Sequence, residues 1–195
     1  MLRPTTTILR RLLAAGLLLL ALPAFAADAS DEAALWQALQ TPGHALLLRH
    51  AEAPGIGDPP DFRIDDCGTQ RNLSPEGKAQ ASAIGEQLRA HGIGRARVHS
   101  SLWCRCLDTA RLLGFGAVEA QPALNSFFAD ASTAASQTEA LRALLREATQ
   151  DGGPLPVFVT HQVNITALTG VVPDPGEILV LRLDGDKPVV LGRLR

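Results

Sequence analysis

Lysine is scarce in this chain. Only Lys78 and Lys187 stand among its 18 basic residues, so any cluster of positive charge must be built from arginine. Net positive charge is absent as well: 18 basic residues face 20 acidic ones over 195 residues. That balance excludes a general attraction to nucleic acid or anionic lipid, and a bound anion would need a local cation cluster. Cysteine is limited to Cys67, Cys104 and Cys106, with no Cys-x-x-Cys pair. The spacings do not fit a zinc site. No internal repeat or inner linker divides the chain.

The long apolar run is missing too. Residues 12–22 are apolar but about ten in number, too short to span a bilayer. Arg3, Arg10 and Arg11 precede them, Pro23 breaks them, and Ala24-Phe25-Ala26 follows. This is the pattern of a secretory signal peptide, with cleavage expected after Ala26. Arg10-Arg11 hints at twin-arginine export, though its flanks fit poorly, and no cysteine follows for a lipid anchor. An uncleaved anchor is the competing reading. Residues 27–195 are expected to form one domain in the periplasm, with secretion as the alternative and no stable membrane anchor. Removing the three leader arginines leaves 15 bases against 20 acids, a formal charge of −5. In an oxidising compartment a disulfide is expected. Cys104 and Cys106 lie too close to pair easily on a helix. Cys67 is left to bridge to Cys104, the preferred pairing, or to Cys106.

Apolar stretches do occur, and two of them end in chemistry. Leu46-Leu47-Leu48 stops at Arg49-His50, and Val157-Phe158-Val159-Thr160 stops at His161. Continuous apolar runs of this length read as strands buried on both faces. Catalytic groups in α/β folds gather where such strands end. The pattern predicts a helix opened by Ser30-Asp31-Glu32, a strand over 45–48, and a long functional loop over 52–71. A helix follows from Ser74-Pro75 to Gly92. Next come a strand over 96–99, a helix over 102–113 capped by Ser100-Ser101, a short strand over 117–119, and a loop over 121–132. A helix over 138–149, the strand over 156–160 and a helix over 162–168 complete the alternation. The last element is a hairpin of 177–183 and 189–191. Such alternation argues a three-layer α/β sandwich: a mostly parallel sheet, helices on both faces, and an antiparallel C-terminal hairpin.

If the strands carrying His50, Ser100 and His161 are neighbours, Arg49, His50, Arg105 and His161 converge on one pocket. Arg105 opens a helix, where backbone N–H groups favour an anion. Two guanidiniums and two imidazoles repel one another unless an anion sits among them, and a tetrahedral phosphate fits that donor set. Arg71 is expected either to join this clamp or to pair with Asp65 or Asp66. Gln162 is a candidate substrate contact, and Asn164 is expected to cap its helix. His44, His91 and His99 are expected at the surface or a strand edge. Phe127 and Phe128 are expected in the core, with a pocket wall as the alternative, and Glu76 in the first turn of its helix.

Four blocks carry a resemblance. Leu47-Leu48-Arg49-His50-Ala51 resembles the arginine–histidine–glycine motif of the histidine phosphatase superfamily, with alanine for glycine. Asn72-Leu73-Ser74-Pro75-Glu76-Gly77 resembles its second block, Ser100-Ser101-Leu102-Trp103-Cys104-Arg105 its third, and Val157-Phe158-Val159-Thr160-His161 its fourth. They stand in family order. The resemblance implies a metal-independent phosphoric monoester hydrolase without a cofactor. His50 would be the nucleophile that forms a phosphohistidine, with Arg49, Arg105 and His161 clamping the phosphoryl oxygens. The substrate would be a phosphorylated small molecule or glycan. In size and export the chain is similar to periplasmic phosphatases of lipopolysaccharide core heptose phosphates. In size it is also similar to the small phosphohistidine phosphatases. One departure concerns the general acid: Ser126 and Gln162 stand where family members carry a glutamate or aspartate. Glu52, Asp108 and Asp130 are the remaining candidates. The competing function is an inactive relative that binds a phosphorylated ligand without turnover.

Overall fold

The computed structural model describes residues 26–195. The expected leader lies outside the described residues, save its last position. The element order is α1 (Ala26–Ala38), β1 (His44–Arg49), α2 (Pro75–Ala90), β2 (Ala96–Ser100), α3 (Cys104–Leu112), β3 (Val118–Ala120), α4 (Ala134–Gln150), β4 (Leu155–Thr160), α5 (Gln162–Thr169), β5 (Ile178–Asp184) and β6 (Lys187–Leu194).

The six strands form one sheet in the order β3-β2-β4-β1-β5-β6. β1, β2, β3 and β4 run parallel, while β5 and β6 add an antiparallel hairpin against β1. Side chains alternate across a strand, and the sheet packs on both faces for that reason. Leu46, Leu48, Val157, Val159, Ile178 and Val180 join Trp36, Ile84, Leu88 and Leu113 on the face that carries α1, α2 and α3. Leu47, Phe158, Leu179 and Leu181 join Leu141, Leu145, Ile165 and Leu168 on the face that carries α4 and α5. This is the expected three-layer α/β sandwich. Both strands that end in histidine are central, so their apolar runs are continuous because each face is covered.

The caps explain most element ends. Ser74 accepts the Gly77 N–H at 2.9 Å, and Pro75 opens α2. Gly170, at φ 76°, closes α5 in the left-handed conformation that glycine adopts without strain. Three starts differ from expectation. Ser30 lies inside α1, which begins at Ala26. α4 begins at Ala134 after a 3-10 turn, four residues before 138, because Asp130 and Thr133 organise that turn first. α3 begins at Cys104, not 102. Ser100 belongs to β2, and Ser101 uses its hydroxyl to accept the Trp103 N–H in a local turn.

Candidate active site

The parallel order brings β1, β4 and β2 side by side, so their C-terminal ends meet. His50 follows β1, and its N–H donates to Thr160 O at 2.9 Å, locking it to the end of β4. His161 follows β4 and forms the N-cap of α5. Arg105 sits in the first turn of α3, just past β2. Arg49, His50, Arg71, Arg105, His161 and Gln162 all line one cavity of about 670 Å³.

His50 is 3% exposed. Its Nδ1 lies 2.8 Å from Ala51 O. A carbonyl only accepts, so Nδ1 carries the proton and Nε2 keeps a free lone pair. Burial, helped by the positive fields of Arg105, Arg71 and Arg49, pushes the His50 pKa down to about 3. The imidazole is therefore neutral near pH 7. His161 is also buried, and its pKa is held well below the usual value by burial and by His50 and the arginines. Its Nε2 lies 2.9 Å from Ser101 Oγ and 3.4 Å from Cys106 Sγ. Ser101 also bonds Asn125 Oδ1 at 3.3 Å, so the ring is braced from β2 and from the loop after β3.

Three guanidiniums enter the cavity from different elements. Arg49 donates to Pro173 O at 2.9 Å, and its Nε is buried without a partner. Arg71 donates through Nε to Gly57 O at 2.7 Å, and through Nη1 to Ala53 O. It does not pair with Asp65 or Asp66; Arg63 takes Asp66 instead. Arg105 is 3% exposed and bonded to Asp58. Burial lowers the pKa values of Arg49 and Arg71, and Arg105 lowers both further. Such mutual repulsion suits a site that accepts an anion.

Asp58 escaped the reading of the sequence. It lies in the irregular, glycine- and proline-rich stretch after β1 and is the sole acid among the described residues that line the cavity. No periodicity or motif marks it. The three acids considered as proton donors are elsewhere. Glu52 accepts from Ser74 at the start of α2. Asp108 pairs with Arg111 on the outer side of α3, and Asp130 caps the turn before α4. None of the three lines the cavity.

Asn164 and His99 differ from expectation, while Gln162, His44, His91 and Phe127 follow it. Gln162 lines the cavity and donates to Thr166 Oγ1 at 3.2 Å within α5. Asn164 caps nothing; it is buried in α5 and donates to Asn125 O at 2.7 Å, bracing the loop beneath the site. His99 is buried and stacks on Phe158, because β3 covers the outer side of β2. His44 and His91 form hydrogen bonds at the exposed surface. Phe127 is core, whereas Phe128 is 58% exposed and forms the cavity rim with Ile56, Phe62 and Trp103.

A disulfide links Cys67 to Cys104, with Cys106 a buried free thiol. It fastens the long loop to the first residue of α3. Gln70 reinforces the same junction by accepting the Cys104 N–H at 2.9 Å. No group of three His, Cys, Asp or Glu side chains among the described residues is placed to hold a metal ion.

Comparison with known proteins agrees with this geometry. The model of the histidine phosphatase superfamily (branch 1) matches residues 45–130. No curated protein matches the sequence. Among solved structures, the protein histidine phosphatase SixA complexed with tungstate is 16% identical, with a TM-score of 0.55 over 77% of this chain and 96% of that one. A mycobacterial glucosyl-3-phosphoglycerate phosphatase complexed with VO3 is 18% identical, with a TM-score of 0.54 over 75% and 96%. A phosphoserine phosphatase of Entamoeba histolytica in complex with phosphoserine is 16% identical, with a TM-score of 0.52 over 77% and 95%. The chain therefore has the fold of the histidine phosphatases, and over residues 45–130 its sequence matches the histidine phosphatase superfamily.

Proposed function

We propose that the protein is a periplasmic phosphatase that hydrolyses a phosphorylated small molecule through a phosphohistidine on His50. The observation that carries this reading is the state of His50: neutral, buried, with Nδ1–H tied to Ala51 O and Nε2 free within a cavity of three arginines. A neutral imidazole nitrogen is a competent nucleophile toward phosphorus. Nε2 forms the bond to phosphorus as the bond to the leaving group breaks. Water then attacks the phosphohistidine and releases inorganic phosphate and the free histidine.

Arg49, Arg71 and Arg105 form the clamp that holds the phosphoryl oxygens, since phosphoryl transfer is mainly positioning and charge stabilisation. His161 joins them. Gln162 lines the cavity, where a substrate would contact it.

The leaving-group side bears on substrate class. Among the described residues no free carboxylic acid lines the cavity, which favours groups that take no proton from the protein: acyl and aryl phosphates, or a phosphoramidate already protonated on nitrogen. The rim of Ile56, Phe62, Trp103 and Phe128 favours an apolar or planar group. A heptose phosphate is the second reading, supported by Ser126 and Gln162 at the same rim, whose hydroxyl and amide suit a polyol. Residence in the periplasm is supported by the leader-like N-terminus and by the disulfide, which persists in oxidising compartments.

The test compares the mature protein with His50→Ala on p-nitrophenyl phosphate, acetyl phosphate and a heptose phosphate, in the presence of a chelator. Turnover by the wild type and its loss in the variant are expected, with acetyl phosphate preferred to the heptose phosphate. Equal release of phosphate by the two proteins would sink the enzymatic reading. Phosphate binding by calorimetry without turnover on any of the three would point to the non-catalytic binding protein.

A further inference from the structure

The five N–H groups of Arg105 are not used equally. Nη1 donates to Asp58 Oδ1 at 2.7 Å and Nη2 to Asp58 Oδ2 at 3.2 Å, so one carboxylate takes the end-on fork of the guanidinium. Nη1 also faces the Arg71 carbonyl at 3.3 Å. The Nε–H is buried and has no partner. A planar guanidinium presents a second fork along its side, made of Nε–H and the adjacent N–H of Nη2. Nη2 also contacts His161 Nδ1 at 3.5 Å, so the edge that carries the unpartnered Nε–H adjoins the second histidine.

Asp58 is itself fully engaged. Oδ1 also accepts the Arg71 N–H at 3.1 Å, and Oδ2 the Trp103 indole N–H at 3.0 Å. With four donors aimed at it, the carboxylate is fixed in place and has no proton to give to a leaving group. Burial alone raises its pKa, but the hydrogen bonds from Arg105 and Trp103 outweigh that and keep the group ionised. It also offsets one of three mutually repelling guanidinium charges. Without it, Arg105 would be driven from a position where it is almost wholly buried.

We propose that Asp58 is a positioning residue, gripping the end-on fork of Arg105 so that the side-on fork is presented to the phosphoryl group at His50. A carboxylate inside an anion site is then no contradiction, because it and the phosphoryl group occupy different edges of one guanidinium. The inference rests on the phosphatase reading for its account of what the free edge binds.

The test uses the mature chain with Asp58→Asn, which keeps the shape, and Asp58→Ala, beside the wild type. Turnover of p-nitrophenyl phosphate is measured together with vanadate and inorganic phosphate binding by calorimetry. Misaligning one oxyanion donor should lower kcat about tenfold to a hundredfold. KM and phosphate affinity should change less than about threefold, because the lost negative charge favours anions generally. Vanadate, which adopts the geometry of the transition state, should lose affinity in step with kcat. If kcat and vanadate affinity stay within about twofold of wild type, the proposal is overturned. Equal losses for phosphate and vanadate that follow a lowered Tm would overturn it as well, as the mark of a merely structural carboxylate. Trp103→Phe, which removes the indole N–H from Asp58 and keeps an aromatic ring beside Phe62 and His161, should repeat the pattern at smaller size and decides the matter should the Asp58 variants not fold. If the wild type binds vanadate but turns nothing over, the phosphatase reading fails and Asp58 is judged on the vanadate ratio. If it binds neither anion, both fall.

Discussion

The rings of His50 and His161 meet edge to face, with centroids 5.5 Å apart, at the ends of two adjacent parallel strands. Both are buried and both resist protonation. The unfolded chain binds protons on histidine below its ordinary pKa of about 6.5, while the folded chain refuses them at these two positions. Their sign is therefore one of acid sensitivity: stability is unaffected above about pH 6.5 and falls as pH drops toward the folded value of about 3 for His50. Each histidine contributes a slope of at most about 1.4 kcal/mol per pH unit. Denaturant titrations between pH 7 and 4 should show this decline in wild type and a shallower one in His50→Asn. Inorganic phosphate should oppose it, since it binds the folded state alone.

The same neutrality predicts the acid limb of turnover. An ordinary imidazole would be mostly protonated at pH 5, whereas His50 still has its lone pair. The kcat/KM on p-nitrophenyl phosphate should show no tenfold-per-unit fall below about pH 6.5 of the kind that an ordinary histidine would impose. A kcat/KM profile bending at pH 6–7 would contradict the assigned state of His50.

Reducing the Cys67–Cys104 bridge should loosen the loop and α3 together. The bridge closes a separation of 37 residues, and a loop of that size contributes about 2–4 kcal/mol. Cys67→Ser with Cys104→Ser should lower Tm by about 5–15 °C. Turnover should fall further than stability alone explains, because Asp58 and Arg71 hang on the tethered loop.

Gly77 marks a close approach. A Cβ there would lie 2.0 Å from Glu52 O, a backbone atom two residues past His50. Gly77→Ala should cost about 1–3 kcal/mol and lower kcat by displacing that loop. Gly94, with nothing within 4 Å of its own added Cβ, supplies the control. Gly94→Ala should leave both properties within experimental error of wild type, as thermal melts and steady-state kinetics will show.

Cys106 touches His161, yet its burial pushes the thiol pKa up to about 12. Iodoacetamide at pH 8 should leave the native protein unmodified. In guanidinium without reductant it should add one label, seen by mass spectrometry. Rapid labelling of the native state would show that the packing around His161 opens.

Much of the fold was legible because both faces of the sheet are covered. The runs before His50 and His161 then have no polar interruption, and the first polar residue marks the strand end. Arg105 was legible through the short turn between β2 and α3. Asp58 was not, because its partner lies 47 residues away and the loop around Asp58 itself has no periodicity. Arg71 was ambiguous for a related reason. Asp65 and Asp66 are near in sequence, but Arg63 takes Asp66, and Arg71 is fastened by Ala53 and Gly57 carbonyls. His99 looked like an edge residue, and only the pairing of β3 outside β2 makes it internal.

The bond from His50 Nδ1 to the carbonyl of Ala51 also dictates regiochemistry. With one ring nitrogen committed to the backbone of the very next residue, the proposed covalent intermediate would have a single address. The phosphoryl group would reside only on Nε2, giving the tele isomer. That isomer resists alkali and decays in acid, so the intermediate should survive a basic quench and vanish in an acidic one.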